Sequence, residues 1–456
     1  MKPASSRNFD AMEVLHPDTA GIDIGSETHY VSVPEDRDPQ AVRAFGCFTP
    51  DLMAMAKWLK ICAIRHVVME STGVYWVPLH QVLEQEGFVV SLVDARQAKN
   101  VPGRKSDVSD CQWLRKLYTF GLLRGCFIPP AEVGVLRSYW RHRSTLVESC
   151  AQQIHRMQKA LEQMNVQLHK VLSDITGVSG MRILRAIAQG ERDPVKLLGL
   201  KHALVKASDE EILKALTGNW RPEHLFALGQ ALEAYDFLQH QIHACDRQIE
   251  GCMQQMPDRR DPNDPPKLSD KRKGSSRRKN EPYFDLQQEL SRVTGLDLNH
   301  IDGLNSLSIQ TVISECGPDL CSAFPTEKHF ASWLGLCPNH RITGGKIKSR
   351  RTKKCQNRVA NALRLAAQSL HHSKSALGAF YRRMMVRHGT PKAITATAHK
   401  LARLIYRMLK HGQTYVDQGQ QHYEQQFQQR LLKALQKQAQ TFGFVLVSET
   451  TGQLVS

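Results

Sequence analysis

The chain runs to 456 residues with 61 Lys and Arg against 44 Asp and Glu, a formal net charge of +17 and a pI near 9.4. Its 41% hydrophobic share excludes a disordered chain and is enough for about two to four ordinary domains. No apolar run nears the ~18 residues of a membrane span. The opening "MKPASSRNFDAMEVL" has no signal-peptide apolar region, so the sequence predicts a cytoplasmic protein with no membrane partner.

In chain order, "AGIDIG" and "THYVSVP" predict two strands joined by a tight Gly-Ser turn, and "AVRAFGCF" a third. "DLMAMAKWLKI" has helical periodicity behind an Asp N-cap. "HVVMES" and "FVVSLVDA" predict buried strands, with "VPLHQVLEQEG" a helix between them closed by Gly. Three hairpin-like strands followed by alternating helix and strand predict a mixed α/β sheet with a partly parallel core. That is the ribonuclease H-like order, and the actin-like ATPase fold starts the same way. "GRKSDVSDCQWL", Gly103 to Leu114, then opens a helix with Asp107 and Asp110 three residues apart. Acids at such a place cap free N–H groups and suit the helix dipole. At i and i+3 they also share one helical face, as ligands of a divalent metal would.

From about Val133 to Met256 the pattern is almost wholly helical. "LRSYWRHRSTLVESCAQQIHRMQKALEQMNVQLHKVL" spaces apolar residues at three and four with no breaker, and predicts a coiled coil or a long helical hairpin. "LEAYDFLQHQIHACDRQIEGCMQQM" reads as the antiparallel return. Pro257 to Pro282 is a basic linker rich in Pro, Ser and charge. A third domain opens with "IDGLNSLSIQTVISECG", where Gly-Leu before a short helix resembles half a helix-hairpin-helix, and a Gln-rich amphipathic helix forms the tail. The expected divisions are an α/β domain at 15–130, a helical coiled-coil or dimerisation region at 131–256, the linker at 257–282, a mainly α C-terminal domain at 283–416 and a tail at 417–456.

Charge is unevenly placed. From Lys328 to Val416 there is no Asp or Glu. Within that span Arg341, Lys346, Lys348, Arg350, Arg351, Lys353, Lys354 and Arg358 make eight cations in eighteen residues. Solvated surfaces mix both signs, whereas an acid-free stretch of this length suits phosphate backbone. A basic membrane-surface helix would need a continuous apolar face, which Thr-Gly-Gly and Gly-Thr-Pro interrupt. The eleven cysteines are scattered with no C-x-x-C pair, which argues against a zinc ribbon or a disulfide framework. Cys337 and His340 have C-x-x-H spacing without a second ligand pair nearby, so free thiols are the better reading.

Four acids stand at predicted element ends: Asp23 in "GIDIGSE", Glu70 in "VVMESTG", and Asp107 and Asp110 at the helix start. In a mixed α/β sheet, strand ends near a topological switch point converge on one crevice. So much negative charge calls for cations, and Mg²⁺ or Mn²⁺ with oxygen ligands and open positions for substrate phosphate fits. Two such ions ~4 Å apart would activate the attacking oxygen and stabilise the leaving one.

"GIDIGSETHYVSV", "MESTGVYW" and "GRKSDVSDCQWL" together resemble the three sequence blocks of the DEDD transposases of the one-ten insertion-sequence family, to which Piv-type DNA invertases are related. "FPTEKHFASWLGLCPNHRITGGK", "NRVANALRLAAQSL" and "ITATAHKLARLIYRML" resemble that family's C-terminal domain, most of all in its eleven-eleven branch. The resemblance implies a RuvC-like N-terminal domain, a coiled-coil dimerisation element and a C-terminal domain carrying a hydroxyl nucleophile. It also implies a dimer or tetramer that recombines donor and target DNA, guided by an element-encoded bridge RNA, so that base pairing supplies the specificity.

The family's nucleophile is usually Ser before Gly; the matching position here is Thr343, in "RITGGK". Its hydroxyl is chemically equivalent once activated, although the extra methyl crowds its approach. Thr343 is favoured because its Gly-Gly neighbours allow close backbone approach to phosphate, and Ser349 is the other candidate. Both could instead serve a turn and a phosphate contact. A RuvC-like resolvase would share the carboxylates without needing a protein nucleophile. An actin-like ATPase or sugar kinase would need a second Gly-rich phosphate loop, and none is found. A non-catalytic nucleic-acid-binding protein would leave the four acids idle.

Overall fold

A computed structural model describes residues 12–71, 73–94, 107–269, 279–353, 356–412 and 419–447, except for the side chains of Asp107, Arg341 and Gln420. The chain divides into two compact units, Met1–Ile128 and Pro129–Ser456.

In the first unit five strands, β1 (Thr19–Ile24), β2 (Thr28–Ser32), β3 (Val42–Gly46), β4 (His66–Glu70) and β5 (Val89–Val93), form a sheet in the order β3-β2-β1-β4-β5. β1, β2 and β3 run as an antiparallel meander, whereas β4 lies parallel to β1 and β5 parallel to β4. Parallel neighbours need crossover connections, which helices α1 (Thr49–Ile61) and α2 (Trp76–Gln85) supply. Alternation along β1 sends Ala20, Ile22 and Ile24 into one core with Met55, Leu59, Leu79 and Leu83. α2 begins without a side-chain N-cap bond. Fully burying Leu79 and Leu83, worth ~1.5–3 kcal/mol each, therefore holds it in place.

The opposite face is covered by α3 (Asp107–Thr119), whose Leu114, Leu117 and Tyr118 join Val68 and Val93 in a second core. The sheet thus carries helices on both faces, in the ribonuclease H-like arrangement that the strand order predicted.

In the second unit the long helices α4 (Ala131–Gln163) and α5 (Pro222–Gln255) run antiparallel, with Arg143 against Asp246 and Cys150 against Gln239. The sequence predicted one unbroken helix through Leu172; the structure ends it at Gln163 and resumes only with a short helix, Leu168–Val171. Asn165 takes the left-handed conformation (φ 56°), which Asn tolerates better than most residues. The freed backbone groups are then met by tertiary hydrogen bonds, from Asn219 N to the Met164 carbonyl (2.7 Å) and from Gln167 N to the Ala215 carbonyl (2.9 Å). Helices Val178–Ala188 and Asp209–Leu216 close this end, contributing Ile183, Leu184 and Ile212 to a core with Met157, Leu161 and Leu228.

Among the described residues, the main elements of the rest of the unit are helices and one hairpin: α6 (Leu286–Thr294), α7 (Ser306–Cys316), α8 (Glu327–Trp333), β6 (Arg341–Thr343), β7 (Lys346–Ser349), α9 (Arg358–Ser369), α10 (Ala376–His388), α11 (Thr390–His411) and α12 (Gly419–Thr441). α7 is fastened to α4 by a bidentate pair from Arg141 to Glu315 (2.8 and 2.7 Å) and by Trp140 donating to Thr311 (3.2 Å). Among the described residues no helix is long and apolar enough to cross a membrane.

Candidate active site and nucleic-acid interface

The parallel register sets Gly21 against Val68 and Ile22 against Met69. Asp23 and Glu70 are the next residues along, on neighbouring strands ~4.8 Å apart. Both belong to the face under α3. Asp23 alternates with Ile22 and Ile24, which point into the other core, and Glu70 is two residues beyond Val68, which points into the α3 core. Both are half-buried.

Gly21 sets how closely α3 approaches. A Cβ there would lie 2.3 Å from the Cys111 carbonyl oxygen and 2.6 Å from the Arg115 amide nitrogen, so only glycine lets the helix backbone rest on β1. One turn further down, Arg115 donates to the Ser32 hydroxyl at 3.1 Å and pins the helix across β2. This seating brings the first turn of α3 to the end of β1. The Cys111 thiol is pushed up to about 12 by burial and, next, by the charge of Asp23. Asp110, half-buried, is the residue before Cys111 in that turn.

Asp23 and Glu70 thus stand at neighbouring strand ends, and Asp110 stands in the helix turn seated beside β1. Asp107 opens the same helix, and its side chain lies outside the described ones. Among the described residues no three His, Cys, Asp or Glu form a ready-made metal cage. The donor set is nonetheless what a hard divalent cation takes: carboxylate oxygens with no soft ligand. A further acid, Asp94, follows β5, but its charge acts on the Cys126 thiol, which packs against the opposite core.

In the C-terminal half, β6 and β7 form a hairpin that sequence patterning missed. Its turn is Gly344–Gly345, with φ of 54° and 73°, the two left-handed residues of a type I′ hairpin. Thr343 pairs with Lys346 at the tip, and Arg341 pairs with Ser349 at the base across an irregular step. A Cβ on either glycine would meet nothing within 4 Å, so the turn's backbone conformation, not crowding, calls for glycine. The signal was present: Gly-Gly flanked by Arg-Ile and Lys-Ile-Lys is a hairpin pattern.

Thr343 is exposed at the tip, with Lys346, Lys348 and Arg350 exposed beside it. Ser349 is half-buried, and its hydroxyl accepts from the Arg351 amide at 3.3 Å. The hairpin base is tied by the Asn339 amide donating to the Arg351 carbonyl at 3.0 Å. Arg351, Lys353 and Arg358 are also exposed, the last at the start of α9; Lys354 and the Arg341 side chain lie outside what is described. Cys337 is half-buried, with burial raising its thiol pKa, and no metal-holding group forms around it among the described residues.

One acid organises two of the cations on α11. Glu327, just before the acid-free span, accepts from Arg403 (2.9 Å) and Arg407 (2.8 Å) on α11. Hydrogen bonds from Arg407 and Arg403 hold its carboxyl down to about 2 against the cost of burial. Its role was not legible in the sequence, because the partners lie about eighty residues away.

Comparison with known families gives two matches. Residues 20–166 match the DEDD transposase family of IS110 type, and residues 297–382 match the transposase family IS116/IS110/IS902. The first spans the strands and helix that carry Asp23, Glu70, Asp107 and Asp110, and the second includes the hairpin with Thr343 and Ser349. No curated protein matches the chain. The paired matches, in this order and over a sheet of this topology, place the chain in the IS110 family of DEDD transposases, enzymes of DNA cleavage and strand transfer.

Proposed function

We propose that the chain recombines donor and target DNA under guidance from a structured bridge RNA encoded by its own element, through a covalent protein–DNA ester at Thr343. The observation that supports the reading is the seating of α3 on Gly21, which brings the helix start that carries Asp107 and Asp110 toward the end of β1. Asp23, Glu70, Asp107 and Asp110 would hold Mg²⁺ or Mn²⁺, which when bound would offset their mutual repulsion and polarise the scissile phosphate. The acids would hold the cation from two sides, Asp23 and Glu70 from strands and Asp107 and Asp110 from a helix.

The Thr343 hydroxyl oxygen forms a bond to phosphorus as the bond to the leaving sugar oxygen breaks, and the hydroxyl proton goes with that oxygen. The ester conserves the bond energy that hydrolysis would discard, and the incoming strand's hydroxyl then reverses the step and frees Thr343. Exposure at a hairpin tip favours Thr343 over Ser349, which is half-buried and already engaged by Arg351. The cations from Arg341 to Arg358, Lys354 included, contact phosphate. Sequence is read by RNA–DNA pairing and the protein reads backbone. A homo-oligomer, dimer or tetramer, is the working assembly, acting in the cytoplasm.

The test is chemical. Protein incubated with donor, target and guide RNA is digested, and any DNA-linked peptide is mapped. A link at Thr343 is expected. A link at Ser349 would move the nucleophile. DNA nicked to free ends with no linked peptide would mean direct hydrolysis by a RuvC-like metal-dependent endonuclease or junction resolvase.

A further inference from the structure

The acid-free span leaves its cations to find partners other than carboxylates of the same span. On α10 and α11 several do. Arg403 and Arg407 share Glu327, and Arg382 donates to the carbonyls of His371 (3.1 Å) and Ser373 (2.6 Å). Two others are covered by the tail helix. The Lys400 ammonium lies 4.5 Å from the Phe380 ring centroid and 5.3 Å from that of Tyr423. The Arg383 guanidinium lies 5.1 Å from Tyr423 and 3.3 Å from Phe427. Tyr423 meets Phe380 edge-on at 6.4 Å, closing the cluster.

This contact is poorly matched in charge. α12 brings one acid, Glu424, against Arg430, Lys433 and Lys437, so a cationic helix lies on a cationic face. Burial and then the nearby Arg430 both lower the pKa of Lys400, which means that its charged form is disfavoured where it sits. The Arg383 Nη1 atom is buried with no hydrogen-bond partner among the described residues, a group that would gain from an anionic acceptor. Ring faces attract cations, but they accept none of the hydrogen bonds that a phosphate oxygen accepts.

We propose that Arg383 and Lys400 form a phosphate-binding face for nucleic acid that α12 covers with Tyr423 and Phe427, and that nucleic acid displaces α12 on binding. Phosphate reaching Lys400 must move Tyr423, so closure by the tail and occupation by backbone phosphate exclude each other. The tail therefore sets a threshold that weak, non-specific contacts do not cross. This rests on the reading that the C-terminal half binds nucleic acid, and it adds a second face beyond the hairpin with its own cover.

The experiment uses the full chain and fluorescein-labelled probes, a random-sequence DNA duplex and an RNA hairpin, titrated across a salt series. Tyr423→Ala with Phe427→Ala opens the face and should tighten binding about tenfold, with a steeper salt slope as more phosphates are neutralised. Adding Lys400→Gln should cancel the gain. Arg430→Glu relieves the repulsion at Lys400 and seats the tail more firmly. It should weaken binding more than Lys437→Glu, which makes the same charge change and so serves as its control. A gain for both probes assigns the face to phosphate in general, and a gain for RNA alone assigns it to the guide. Unchanged or weaker binding in the Tyr423/Phe427 variant overturns the proposal. If neutralising Arg350, Arg351 and Lys353 still weakens binding in that case, the nucleic-acid reading stands and only the cover is wrong.

Discussion

The Cβ that Gly21 lacks would stand 2.3 Å from the carbonyl oxygen of Cys111. That gap is what lets α3 deliver Asp110 to the strand end that carries Asp23. Gly21→Ala should therefore act twice. It should lower stability by at least the ~1–3 kcal/mol of an overpacked core, and it should lift the helix start away from β1 and suppress strand cleavage. Urea unfolding and a cleavage assay on the same preparation check this. A variant that is destabilised yet cleaves at the wild-type rate would separate the seating of α3 from the chemistry.

Asp110→Ala removes a carboxylate without touching the packing under Gly21. Strand cleavage should be abolished while nucleic-acid affinity stays within about twofold, because phosphate binding and catalysis lie on different residues. Gel-shift titration beside the cleavage assay decides it, and a parallel loss of binding would mean that Asp110 is structural.

Neutralising Arg350, Arg351, Lys353 and Lys354 together should weaken binding and flatten its dependence on salt. Each duplex phosphate that the protein no longer neutralises lowers the log–log slope by ~0.9. An unchanged slope would remove this segment from the interface.

Glu327 gives a prediction in pH. Its carboxyl is held at about 2 in the folded chain, below the ~4.3 of an unfolded glutamate. A depressed folded value stabilises fully above the unfolded value, and that stability is lost as pH falls from ~4.3 toward 2. Glu327→Gln should therefore lower Tm near neutral pH, and the gap from wild type should narrow below pH ~4 and close toward pH 2. A gap as wide at pH ~3 as at neutral pH would assign the loss to packing rather than charge.

Local signals carried much of the first unit. Alternation and Gly-bounded apolar runs located all five strands, and the acids at 107 and 110 marked a true helix start. What sequence could not supply was register. That Ile22 lies against Met69 depends on how two strands forty-odd residues apart align, and the glycine that seats α3 looks like any other until the helix is in place. The end of α4 was harder to read, since Asn165 stops the helix only by taking a left-handed conformation, with the freed Met164 carbonyl met by a tertiary hydrogen bond from Asn219. The hairpin at Thr343 was different: its Gly-Gly turn was there to be read. Two adjacent glycines beside a run of cations suit both close phosphate approach and the type I′ conformation, and the structure shows the turn. The buried Arg143–Asp246 pair, joining helices a hundred residues apart, has no local signature at all.

In the proposed mechanism Asp23, Glu70, Asp107 and Asp110 surround one divalent-cation site. Iron(II) in place of Mg²⁺, with ascorbate and peroxide, generates hydroxyl radicals at the bound ion and cuts the polypeptide where it passes closest. Three clusters of cuts are expected, at Asp23, at Glu70 and over Asp107–Asp110, all suppressed by excess Mg²⁺ and all lost together in Glu70→Gln. Cuts at only one of these segments, or clusters that survive Glu70→Gln, would contradict it.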